Sequence, residues 1–91
     1  MGYTLIYTDN ALEDIDWLKK SGDKACLKKL AKLLEELIEH PFTGTGQPEQ
    51  LKFDFSGCWS RRINKKHRLI CQVEEKRVTV TLLSVYGHYG D

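Results

Sequence analysis

Leu27, Leu30, Leu34, Leu37 and Ile38 recur inside the run DKACLKKLAKLLEELIEH, residues 23–40, with lysines and glutamates between them. Steps of three and four residues draw one apolar stripe along a helix. His40 falls at its C-terminal end, where an imidazole can meet the last carbonyls. Pro41 stops the helix, because proline disfavours helical geometry in the residue before it. A second helix is expected ahead of it. Ala11, Ile15 and Leu18 share a face, and Glu13, Asp14 and Asp16 occupy early turns where the helix dipole favours negative charge. Asp9-Asn10 would cap its start, after a short strand in YTLIYT, residues 3–8, and Ser21-Gly22-Asp23 would end it and cap the next.

After the turn-rich stretch at 40–50 the period falls to two. LKFDF, CWSRRIN, HRLICQVE and RVTVTLLSVYG read as four strands, with turns at Ser56-Gly57, Asn64-Lys65-Lys66 and Glu74-Glu75-Lys76. Short connections make these neighbours antiparallel. Val78, Val80 and Leu82 alternate with Thr79 and Thr81, so the last strand has one buried and one open face. The pattern predicts an α+β fold: an N-terminal strand, then a two-helix hairpin packed on one face of a mainly antiparallel four- to five-stranded sheet. The other face of the sheet is left open.

Composition narrows the class. A chain of 91 residues is expected to be one domain spanning 1–91, with room for one core and one site. With 41% hydrophobic and 30% charged residues and no long apolar run, it reads as a globular protein without a membrane segment. Its N-terminus, MGYTLIYTDN, has neither a basic nor a long apolar region to direct export, which predicts the cytoplasm. Cys26, Cys58 and Cys71 are odd in number, lack CxxC spacing and sit among apolar residues. They are expected to be core thiols, with neither a disulfide framework nor a zinc site.

The net charge of +1 conceals a division: residues 1–50 hold six Lys/Arg against nine Asp/Glu, and residues 51–91 hold eight against four. A basic half can be a footprint for nucleic acid, or an ordinary solvated face. Chemistry begins to converge on the expected open face. Arg61, Arg62 and Arg68 lie on two strands joined by a tight turn, so their side chains can meet across the hairpin. Glu49 and Lys52 arrive from the turn-rich connection HPFTGTGQPEQLK, and His88 and Tyr89 from the end of the last strand. A carboxylate, guanidinium groups and an imidazole are what acid–base cleavage of a phosphodiester requires. Taken singly, Glu49 is more often a solvated loop residue, Arg68 a surface charge and His88 a chain-end residue.

HPFTGTGQPEQLKFDFSGCWSRRINKKHRLICQV, with a terminal GHY, closely resembles the YoeB/Txe toxins of bacterial toxin–antitoxin pairs, within the RelE-like superfamily. The resemblance runs in order along nearly the whole chain. It implies an endoribonuclease that enters the A site of the 70S ribosome and cuts the messenger RNA there, without metal or other cofactor. The family's general base falls on Glu49, its phosphate-binding arginines on Arg62 and Arg68, its general acid on His88, its auxiliary aromatic on Tyr89 and a further basic position on Lys52. Such a toxin implies a cognate antitoxin of the YefM/Axe type, and the family suggests a homodimer. Two alternatives stay open: a relative that inhibits a DNA topoisomerase, as the ParE branch does, and a module that binds RNA or an antitoxin without cutting. In this reading Gly44, Gly46 and Pro48 turn the chain off the second helix and then stiffen it, so that Glu49 reaches the sheet edge while Leu51 enters the core.

Overall fold

The structure, a computed structural model, describes residues 2–51 and 57–85. Its elements run β1 (Thr4–Tyr7), α1 (Asp9–Ser21), α2 (Lys24–Glu39), β2 (Glu49–Gln50), β3 (Cys58–Arg62), β4 (Arg68–Glu74) and β5 (Thr79–Ser84). The five strands form one sheet in the order β1-β5-β4-β3-β2. Strands β2 to β5 pair antiparallel, and β1 joins β5 in parallel at the far edge. The parallel pair is possible because the two helices, β2, β3 and β4 intervene in sequence, so no tight hairpin constrains it.

Both helices cover one face of this sheet. Ala11 and Leu18 from α1, Cys26, Leu30, Leu33 and Leu37 from α2, and Leu69, Cys71, Val80, Leu82 and Val85 from the sheet form the buried core. The stripe on α2 is therefore centred on Cys26, Leu30, Leu33 and Leu37. Leu27, Leu34 and Ile38 are its half-buried shoulders. Asp23 caps α2 by accepting from the Cys26 amide at 3.0 Å, and Gly22 closes α1 in the left-handed region. The cap of α1 is Thr8 rather than Asp9-Asn10: its Oγ1 accepts from the Ala11 amide at 3.1 Å and donates to the Leu82 carbonyl at 2.9 Å. One hydroxyl thus starts the helix and ties it to β5.

At the end of β5 the alternation breaks. Cys71 pairs with Leu82 and Ile70 with Ser84, leaving Leu83 without an opposite residue. This bulge inserts one residue into the strand. It re-phases the side chains so that Val80, Leu82 and Val85 all reach the core, where strict alternation would have turned Val85 outward. The Val85 amide is fixed by Asp14 Oδ2 at 3.1 Å. The β4–β5 turn holds another irregularity: Val78 has φ of 50°, a left-handed conformation unfavourable for a β-branched residue.

Of the strand expected at LKFDF, residues 52–55 lie outside the described residues, and the observed pairing precedes it. Pairing with β3 occurs at Glu49–Gln50, and the Leu51 amide donates to the Cys58 carbonyl at 2.9 Å. Leu51 itself is half-buried rather than a core residue. Its start follows from Pro48, which cannot donate to a ladder, so regular pairing begins only after it.

Candidate functional site

Register decides which side chains share the open face. Residues opposed on paired strands lie on one side of a sheet, and steps of two keep them there. Glu49 is opposite Ser60, Ser60 opposite Ile70, and Arg62 opposite Arg68. Glu49, Ser60, Arg62, Arg68 and Ile70 therefore lie together on the face away from the helices. The centre of that face is not bare, since Cys58, Ser60 and Ile70 are all buried there. Arg68 Nη1 lies 3.4 Å from Ser60 Oγ, in donating geometry, so the hydroxyl stands between the guanidinium and the strand that carries Glu49.

Arg62 is exposed and Arg68 half-buried, and among the described residues neither has a carboxylate partner. Two like charges held directly opposite each other on adjacent strands repel. A bound phosphate would relieve that repulsion and accept from both forks. Beside Arg62 the surface opens into a cleft of about 410 Å³ lined by Lys29, Gly46, Gln47, Asn64 and Lys65, which adds two lysines to the positive lining.

Arg61 does not join this group. Consecutive strand residues point to opposite faces, so Arg61 turns toward the helices where Arg62 turns away. Its side chain is fully buried. Nη1 donates to Glu36 Oε1 at 2.8 Å, and Nη2 donates to the carbonyls of His40 at 2.8 Å and Thr43 at 2.6 Å. Burial pushes the Glu36 carboxyl up, but bonds from the Thr45 hydroxyl and amide and the charge of Arg61 outweigh it, so Glu36 titrates below its ordinary value. His40 serves both the helix and the connection: its amide donates to the Glu36 carbonyl at 2.7 Å, closing α2, and its Nδ1 lies 2.8 Å from the Thr43 carbonyl. The three thiols are buried as expected, and burial pushes that of Cys71 up to about 12, leaving it protonated.

Of the expected site residues, the fold brings Glu49, Arg62 and Arg68 to one face. Lys52, His88 and Tyr89 lie outside the described residues. Sequence reasoning missed Ser60, although its parity with Arg62 in WSRRI places it on the same face. It also missed the partnership of Arg61 with Glu36, whose signal was an arginine doublet within a strand: one of the pair had to point inward.

This strand order and helix placement define a small toxin fold. The YoeB/ParE toxin from Agrobacterium tumefaciens superposes with a TM-score of 0.87 at 30% identity, over 94% of this chain and 99% of that one. YoeB from Staphylococcus aureus, solved as a dimer, gives 0.81 at 32% identity over 96% and 98%. In the YoeB–YefM complex from the same organism it gives 0.80 at 31% over 96% and 98%. Residues 7–89 match the family described as the YoeB-like toxin of bacterial type II toxin-antitoxin systems, and the chain belongs to that family. A curated relative, Toxin YoeB of Synechocystis, is 35% identical over 85 residues, spanning 93% of this chain and 95% of its own. Among the described residues, no helix is long and apolar enough to cross a membrane.

Proposed function

We propose that this toxin is a ribosome-dependent endoribonuclease that cleaves messenger RNA in the A site through the ribose 2′-hydroxyl. The observation that carries the reading is the shared face of Glu49, Arg62 and Arg68, grouped about Ser60. Glu49 takes the proton from the 2′-hydroxyl, and the freed oxygen attacks the adjacent phosphorus. As that P–O bond forms, the bond to the 5′-oxygen breaks. Arg62 and Arg68 hold the non-bridging oxygens and stabilise the charge that accumulates on them. By resemblance to the family, His88 gives its proton to the departing 5′-oxygen, with Tyr89 and Lys52 assisting at the substrate. The products are a 2′,3′-cyclic phosphate, which added water opens to a 3′-phosphate, and a free 5′-hydroxyl. DNA, lacking the 2′-hydroxyl, is not a substrate.

A protein that destroys messages needs a partner to restrain it. The staphylococcal relative was solved as a YoeB–YefM complex and as a YoeB dimer. We extend both to this chain: a YefM-type antitoxin that orders as it covers the arginine face, and a homodimer of the toxin. Primer extension on a translated message, with and without 70S ribosomes, tests the activity. New 3′ ends inside the A-site codon only when ribosomes are present support it. Uncut message in both reactions, from a protein that arrests growth, would contradict it.

A further inference from the structure

The strand that carries Glu49 is two residues long and lies at a sheet edge. So short a strand has few ladder bonds of its own, and slipping its register by one residue would turn Glu49 from the arginine face to the helix face. Among the described residues, contacts outside the ladder hold the segment that leads into it. Thr45 stands four residues before Glu49, and its amide and hydroxyl both donate to the carboxylate of Glu36, at 2.7 Å each. Glu36 in turn accepts from the buried Arg61, whose second nitrogen holds the carbonyls of His40 and Thr43.

The segment between the network and the strand is short and stiff. Gly46 has φ of 87°, and a β-carbon there would come within 2.7 Å of the Arg62 carbonyl. The Gly46 carbonyl accepts from the Arg62 amide at 2.7 Å, Gln47 is held at φ of 52°, and Pro48 has a locked φ. Gly44, at φ of 118°, presses so closely on the Glu36 carboxylate that a β-carbon would collide with it.

We propose that Glu36, Arg61 and Thr45 form a positioning clamp that sets the register of β2 on β3 and so holds Glu49 opposite Ser60. The clamp's catalytic consequence rests on the reading of Glu49 as the base; its structural consequence does not. None of the three residues touches the substrate. Their charge-assisted bonds hold the connection from the helix side of the sheet, while the chemistry occurs on the other.

The test is amide hydrogen exchange on Glu36→Gln and, as a milder variant, Thr45→Val, both confirmed to be folded. Two amides report the β2 register: Arg62, bonded to the Gly46 carbonyl, and Leu51, bonded to that of Cys58. The Thr8 amide, bonded to Leu82 in the β1–β5 region, is the control. The clamp predicts exchange at Arg62 and Leu51 faster by roughly 10-fold or more in Glu36→Gln, with Thr8 unchanged. It also predicts a kcat lower by about 10-fold with KM changed less than about 3-fold, since binding groups stay in place while the base wanders. Arg61→Lys should behave like Glu36→Gln, because an ammonium cannot span the acceptors that the guanidinium fork joins. Unchanged exchange at Arg62 and Leu51 in folded Glu36→Gln would overturn the clamp, as would equal acceleration at Thr8. Loosened register amides in a protein whose wild type leaves RNA uncut would keep the clamp and refute the nuclease reading.

Discussion

Arg61 and Arg62 are consecutive in the chain and lie on opposite faces of β3: the first is fully buried against Glu36, the second exposed opposite Arg68. One arginine therefore serves the architecture and the next faces the site. The division follows from the two-residue period of a strand, and it separates variants that should loosen the fold from variants that should weaken phosphate contacts.

Arg68 is expected to act through its fork. Lysine at this position keeps a charge but loses paired contacts to two phosphate oxygens. Arg68→Lys should retain only part of the cleavage rate, with unfolding by urea close to wild type. Full activity in that variant would reduce Arg68 to a general electrostatic role.

Glu36 makes stability depend on acid in a defined direction. Its carboxyl titrates below the ordinary value of 4.5 in the folded protein, so the unfolded chain binds the proton first. The stabilisation is present above about pH 4.5 and is lost as pH falls through the folded value. Urea denaturation from pH 7 down to pH 3 should show a steeper loss for wild type than for Glu36→Gln, which has no carboxyl to protonate there. Parallel pH profiles would show that the Glu36 interactions do not stabilise the fold.

Val78 marks a place where the sequence opposes its own backbone. A left-handed conformation costs roughly 1–2 kcal/mol in a residue with a β-carbon, and asparagine tolerates it better than most. Val78 is exposed, and its backbone carbonyl accepts from the Thr4 amide whatever the side chain. Val78→Asn should therefore raise stability by about 1 kcal/mol, read as a shift in the urea midpoint at constant m-value. A lower midpoint would mean that the valine side chain contributes packing that outweighs the strain.

Much of this was legible in the sequence because it rests on periodicity. The helix read over 23–40 is observed at Lys24–Glu39, and the alternation read from Val78 holds from Thr79 to Leu82, with Val78 exposed outside the strand. What was not legible depends on contacts between distant segments. Asp9 and Asn10 are good capping residues, but Thr8 caps α1 because it also meets the Leu82 carbonyl across the sheet. Spacing puts Leu27 and Leu34 on the apolar stripe, and the structure buries Leu33 in preference to both. Which flank of a leucine-rich helix is covered depends on where α1 and the sheet lie, and periodicity does not contain that. Glu49 lies on the edge strand, where the Gly and Pro residues of the connection are expected to present it. Its register, and the inward turn of Arg61 that accompanies it, required the pairing with Ser60 and the partner on α2.

Glu49, opposite Ser60 on the face that also carries Arg68, is proposed to remove the proton from the ribose 2′-hydroxyl. The most direct measurement is the single-turnover rate of message cleavage on programmed 70S ribosomes by wild type and Glu49→Gln, with the amides of Leu51 and Arg62 monitored to confirm an intact β2–β3 pairing. The expected rate is lower by about 10²-fold or more, the scale of a lost general base, with those amides unchanged. Cleavage at the wild-type rate by a correctly paired Glu49→Gln protein would contradict it.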